Sequence, residues 1–135
     1  HEILRLQPLV PIHHGPAYLE GVVNFRGVIV PVLDLRRRFG LSVKNNSATR
    51  TLVLNIEGRL VGLNVDSVQG VLKVPESSLQ PLPSVHQHVP WCLGFCVYDE
   101  HCYMMLNVKA LVLSNDPIDP SKLMTVAKGL GSVTE

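Results

Sequence analysis

The sequence predicts an all-β fold of short strands, arranged as barrels or a sandwich, with a few short helices. Three observations predict it. Aromatic residues make up only 5% of the 135 residues while hydrophobic residues make up 46%, so the core falls to Val, Leu and Ile, which favour strands. Ten glycines and ten prolines break the chain as often as many short strands require. Several windows alternate apolar and polar residues with the period of a strand.

The elements follow in order. Residues 2–6, EILRL, read as a helical turn or the end of a strand. QPLVPIHHGPAY holds three prolines and reads as an extended connection. GVVNF and VIVPVLDL are apolar runs parted by Arg26 and Gly27, a spacing that predicts a tight hairpin. Pro31 cannot donate to a ladder, so its strand is expected at an edge or a bulge. Asp34 is placed to cap a short helix, LRRRF, that Gly40 ends, with Leu35 and Phe39 on one face.

Beyond a polar loop, TLVLNI sets Leu52, Leu54 and Ile56 against Thr51, Val53 and Asn55. LVGLNVDSV then sets Val61, Leu63 and Val65 against Gly62, Asn64 and Asp66. GVLKVP reads as another strand, and ESSLQPLPSVHQHVP as a long loop. WCLGFCVY and CYMMLN predict a hairpin around Asp99 and Glu100, followed by the short helix VKALVL. A last helix, PSKLMTVAK, is capped by Asp119 and stops at Gly129. Six or seven strands and two or three minor helices result. No internal repeat is visible.

Composition excludes several functions. The net charge of +1 gives no strong field for nucleic acid or anionic lipid. No apolar run approaches the ~18 residues of a membrane span. No signal peptide is recognisable, and His1 is not a native start, so residues are expected to have preceded it. Three cysteines, odd in number and clustered, do not make a disulfide framework; a reducing, cytosolic setting is the simpler expectation.

The candidate chemistry is thin. No nucleophile elbow, phosphate loop or dinucleotide fingerprint occurs. Asp34 and Asp66 fall near strand ends with nothing to pair them, as capping or turn residues do. His86, His88, Cys92, Cys96, His101 and Cys102 crowd together, but on one strand Cys92 and Cys96 would stand roughly 13 Å apart. Zinc bonds of about 2.3 Å cannot hold both, so no metal or other cofactor is expected, and the cysteines read as small buried hydrophobes. The run Arg36, Arg37 and Arg38 lacks the interleaved aromatics of a nucleic-acid surface and reads as a solvated helix face. Arg26 stands out. A tip arginine is ordinarily just solvated. This tip is short and flanked by apolar runs, so it presents a fixed fork of donors beside an apolar surface, as binding hot spots do.

The block GVVNFRGVIVPVLDLRRRFG, Gly21 to Gly40, resembles the signature of CheW-like domains, which reads close to G-V-x-N-L-R-G-x-I-x-P-V-x-D-L-R. VGLNVDSVQGVLKV resembles the family's V-G-x-x-V-D-x-V-x-x-V-L, and LGFCVYDEHCYMMLNVKALV its closing hairpin and helix. The opening EIL and the P-x-Y-L-E-G at Pro16 to Gly21 fit as well. The likeness runs from Glu2 to about Val112 and implies a domain over 1–113, with a tail over 114–135. One departure is Phe25, where the motif has leucine.

The resemblance implies two small SH3-like β-barrels around a shared apolar core, and a non-catalytic adaptor of a bacterial chemosensory system. It implies two partners, the cytoplasmic tip of a chemoreceptor and the regulatory domain of the histidine kinase CheA. The receptor tip is expected in an apolar groove between the barrels. Receptor contacts are expected at Glu2, Ile3, Gly21, Asn24, Arg26 and Gly27, with the kinase contacts unassigned. The adaptor would be cytoplasmic, recruited to receptor arrays at the inner face of the membrane without inserting into it. Family members carry two further strands ahead of the position of Glu2. Without them the first barrel is expected to have an open edge: either the chain has been cut short or another chain completes the barrel, in which case a swapped or edge-paired homodimer is expected. The rival readings are a CheW-like regulatory domain of a larger signalling protein, and a small barrel that binds metal or nucleic acid. An enzyme ranks last, because no nucleophile, base and orienter occur together.

Overall fold

The computed structural model describes residues 2–81, 89–114 and 118. The chain divides into two compact units, residues 1–70 and 71–135. The first is built on a six-stranded sheet. Its strands are β1 (Glu2–Arg5), β2 (Val10–Pro11), β3 (Leu19–Phe25), β4 (Val28–Asp34), β5 (Arg50–Ile56) and β6 (Arg59–Val65), ordered β1-β5-β6-β4-β3-β2. β1 and β2 end that order on opposite sides, yet only residues 6–9 join them. So short a link makes the sheet curl until its ends approach, as in a small barrel. Neighbours are antiparallel except β4 and β6, which pair in parallel at Val32↔Gly62, Leu33↔Leu63 and Asp34↔Asn64. A parallel pair needs a crossover, here supplied by helix α1 (Leu35–Arg38), a loop and β5.

Side-chain alternation places the interior. Val30 and Val32 of β4 are sealed from solvent, and Val23 lies opposite Val30. Leu9, Phe25 and Leu60 pack against these three. Each buried valine contributes roughly 1.5–3 kcal/mol. On β5 the inward residues are Thr51 and Val53. β6 runs between β4 and β5 and is covered on both faces, so Asn64 is buried, and its Oδ1 accepts from Thr51 Oγ1 at 2.7 Å.

The structure corrects the reading of the arginine run. Arg36 and Arg38 are buried; only Arg37 reaches solvent, where it meets Glu20. Arg36 uses all five of its donors. Nε and Nη2 donate to the two oxygens of Asp34 at 3.0 and 2.8 Å; Nη1 reaches Lys44 O at 3.3 Å and Asp66 Oδ1 at 3.2 Å; Nη2 also reaches Asn45 Oδ1 at 2.8 Å. A guanidinium can be buried when carboxylate geometry matches its fork. The hydrogen bond to Asp34 raises its pKa, against the opposing effect of burial. Asp34 and Asp66 are therefore linked through Arg36, which the sequence reading missed. Asp34 also caps α1 as expected, accepting from the backbone of Arg36 and Arg37. Arg38 lies over the Tyr18 ring at 5.0 Å, a cation–π contact.

The second unit holds β7 (Cys92–Tyr98), β8 (His101–Leu106) and helix α2 (Val108–Leu113). Asn107 caps α2 by accepting from Ala110 N at 3.1 Å. GVLKVP is not a strand here: no described strand pairs with it, and Val71 and Leu72 are exposed. Among the described residues the sheet of this unit has two strands, whereas that of the first has six and ends at β1 and β2. The helix expected over PSKLMTVAK, and His86 and His88, lie outside the described residues.

A repeat does exist, carried by geometry and not by identity. A shift of 73 positions takes Gly21 to Gly94, the tip Arg26-Gly27 to Asp99-Glu100, and the cap Asp34 to Asn107. Val22 pairs with Val10 as Phe95 pairs with Gln80, and each partner is followed by a proline. A Cβ on Gly21 would come within 2.2 Å of Val10 O, and one on Gly94 within 2.2 Å of Gln80 O. Each glycine is therefore required by a neighbouring backbone pressed against it.

Two outcomes test this packing. Arg36→Ala leaves the Asp34 carboxylate buried without its partner and should cost about 3–5 kcal/mol, whereas Arg37→Ala should cost less than about 1 kcal/mol; denaturant unfolding at neutral pH measures both. Cys92 and Cys96 are buried, and burial pushes the Cys92 thiol up. Iodoacetamide at pH ~8 should therefore label half-buried Cys102 first in the folded protein, and label Cys92 and Cys96 only on unfolding, as read by peptide mass.

Candidate functional site

The β3–β4 hairpin closes at Phe25↔Val28, leaving Arg26 and Gly27 as its loop. Both have positive φ, 52° and 83°, the signature of a type I′ turn that matches strand twist. Asn24 Oδ1 accepts from Gly27 N at 2.8 Å and braces the turn. The β5–β6 hairpin repeats the device: Asn55 Oδ1 accepts from Gly58 N at 2.9 Å, with Glu57 at φ 53° and Gly58 at φ 82°. N-x-x-G is thus a turn-building unit in this chain. Its variable tip residue is Arg26 in one hairpin and Glu57 in the other.

Arg26 projects from this rigid tip with its side chain 71% exposed. Two contacts hold the guanidinium. It lies 4.9 Å from the centroid of the Phe25 ring, and Nη2 pairs with Glu2 Oε1. Glu2 opens β1, opposite Val53 on β5, and reaches across to the tip of a hairpin several strands away in the sheet order. The ion pair therefore ties the first strand to the β3–β4 tip. The sequence singled out both residues but not their pairing, because they are 24 positions apart and only the curl of the sheet joins them.

The six expected contact residues do not form one cluster. Glu2, Asn24, Arg26 and Gly27 gather at the tip. Gly21 is buried at a bulge lower on β3, between Leu19 and the regular ladder. Ile3 is 47% exposed and pairs with Leu52, so it faces outward from β1. The structure gives Asn24, Gly27 and Gly21 backbone roles in shaping the hairpin.

Sequence reading missed the surface below the tip. Val10, Val22 and Pro31 are cross-strand partners in turn, and Asn24 and Ile29 pair two positions along the same hairpin, so all five share the outer face of β2, β3 and β4. Val10 and Ile29 are 66% and 64% exposed. An apolar strip with a fixed cation at its end results. The signal lay in the alternation itself: once Val23, Val30 and Val32 are assigned inward, Val22, Ile29 and Pro31 must face out. Among the described residues no three His, Cys, Asp or Glu side chains gather as metal ligands.

The Arg26–Glu2 pair is exposed, so its coupling should be small. A double-mutant cycle with Arg26→Ala and Glu2→Ala should return about 0.2–1 kcal/mol, shrinking in high salt.

With this geometry in place, comparison with known proteins is informative. The family model described as CheW-like domain matches residues 1–115. A probable chemotaxis protein CheW of Rhizobium etli is 29% identical over 113 residues, covering 82% of this chain and 73% of that protein. The chemotaxis protein CheW of Klebsiella aerogenes is 32% identical over 120 residues, covering 85% and 71%. That of Rhizobium meliloti is 34% identical, with the match covering 62% of this chain and 55% of the relative. The crystal structure of the scaffolding protein TtCheW from Thermoanaerobacter tengcongensis superposes with a TM-score of 0.75 at 29% identity, covering 87% of this chain and 83% of that one. The curled sheet of the first unit, the hairpin and helix of the second, and the N-x-R-G tip are thus parts of an SH3-like barrel fold, and the chain belongs to the CheW-like domain family.

Proposed function

We propose that this chain is a non-catalytic adaptor that couples chemoreceptors to the histidine kinase CheA at receptor arrays on the cytoplasmic side of the membrane. Family membership supports the adaptor role. No helix among the described residues is long and apolar enough to cross a membrane.

One observation carries the contact assignment: a cation fixed by a two-residue turn at the end of an exposed apolar strip. The cytoplasmic tip of a receptor is helical, and a helix docks by laying an apolar face on such a strip. Arg26 then supplies planar donors to carboxylates or carbonyls at the rim, where its exposure leaves it free to switch partners. Glu2 holds the guanidinium in place beforehand, so less rotamer entropy is lost on binding. Gly21, Asn24 and Gly27 act through the shape of the hairpin, and Ile3 extends the apolar surface beside Glu2. The kinase's regulatory domain takes a different surface. Coupling is then a matter of placement and needs no reaction at this protein.

Titration with a purified receptor cytoplasmic fragment tests this reading. Arg26→Ala should weaken binding at least tenfold and leave the thermal midpoint nearly unchanged, as expected of an interface hot spot. Unchanged affinity, or loss of the fold, would remove Arg26 from the contact.

A further inference from the structure

Successive side chains on a strand point to opposite faces. Phe25 follows Val23 on the inward face of β3, and its half-buried ring packs against the cluster of Val23, Val30 and Val32. An extended residue after it would point away from that ring. Arg26 is not extended. Its φ of 52° turns the side chain back, and its guanidinium carbon lies over the Phe25 ring at 4.9 Å. The left-handed turn thus makes a contact that a continuing strand would not allow.

Two groups meet this guanidinium among the described residues, and they differ in kind. Glu2 is a carboxylate on another strand. Its hold is screened by salt, and an incoming acceptor competes with it for the same donors. Phe25 is a neutral ring anchored in the core. It attracts the cation through the negative face of its π system and takes up no N–H donor. It can therefore keep its grip while the donors change partners. A ring against one face of a guanidinium leaves the edge open, and the edge carries the planar fork of donors. Leucine, the residue of the family signature at this position, fills similar space but has no π face.

We propose that Phe25 is a positioning residue: its ring, more than Glu2, fixes the Arg26 guanidinium edge-outward for a docking partner. The inference rests on the receptor contact proposed for Arg26 and adds what holds that contact in place.

Side-chain NMR and binding to a purified receptor cytoplasmic fragment, measured on the native chain, Phe25→Leu, Phe25→Tyr, Glu2→Ala and Arg26→Ala, test it. Ring current should shift the Arg26 side-chain protons upfield, with the assignment given by their loss in Arg26→Ala. The shift should persist in Phe25→Tyr, in Glu2→Ala and at about 1 M salt, where exposed ion pairs are screened, and collapse in Phe25→Leu. Phe25→Leu should weaken receptor binding about two- to fivefold, and Phe25→Tyr should restore it. Thermal midpoints keep every comparison on folded protein. Arg26 protons that Phe25→Leu leaves in place, a shift that vanishes with Glu2→Ala or salt, or Phe25→Tyr binding no better than Phe25→Leu would overturn the inference. If Arg26→Ala weakens binding and Phe25→Leu does not, the positioning role alone falls. If neither weakens it, the receptor contact falls as well.

Discussion

A turn of two residues, both in the left-handed region, leaves the side chain at its tip little choice of direction. Everything argued about the β3–β4 hairpin depends on that constraint. Asn24 and Gly27 satisfy the turn, so the intervening residue is released from structural duty and can be selected for what it touches. In this hairpin it is Arg26, and in the sister hairpin β5–β6 it is Glu57. The same backbone device therefore presents opposite charges at two places on one sheet. Because the turn determines position and the tip residue determines chemistry, a contact residue can change without disturbing the fold.

Below the tip, two kinds of polar interaction divide the work. The Arg26–Glu2 pair is exposed, screened by solvent and weak. It orients a side chain and links β1 to the hairpin. Arg36 is the opposite case. Buried, with every donor satisfied, it joins the end of β4, the loop at Lys44 and Asn45, and Asp66 just past β6. Losing it strands a buried carboxylate, whereas losing Arg26 strands nothing. This contrast separates a residue that holds the domain together from one that is available to a partner, although both are arginines in the same twenty-residue block.

Much of this was legible beforehand, and the gaps have physical causes. The hairpins at Arg26-Gly27 and Asp99-Glu100, the Asp34 cap and the α2 helix follow from local turn and capping chemistry. The burial of Arg36 and Arg38 was not legible, because Arg36 turns back onto Asp34, read only as a cap, and is completed by Asn45 and Asp66, while Arg38 needs Tyr18, partners that approach only once the chain folds. The strand expected at GVLKVP failed because a strand is defined by its neighbour as much as by its own residues. The repeat escaped notice for a related reason: Gly21 and Gly94 are alike in what presses on them, and few residues around them are identical. At the candidate site, the tip was readable from the motif, while the outer face at Val10, Val22 and Pro31 required the register.

The central claim is that the partner sits on the outer face of β2, β3 and β4 beneath Arg26. Amide chemical-shift mapping of the isotope-labelled protein against an unlabelled receptor cytoplasmic fragment addresses it most directly. The expected result is a contiguous set of shifted amides at residues 2–4, 10–11 and 22–31, with the interior of β6 unaffected. Shifts confined to β7 and β8, with the β2–β4 face unchanged at saturation, would contradict it.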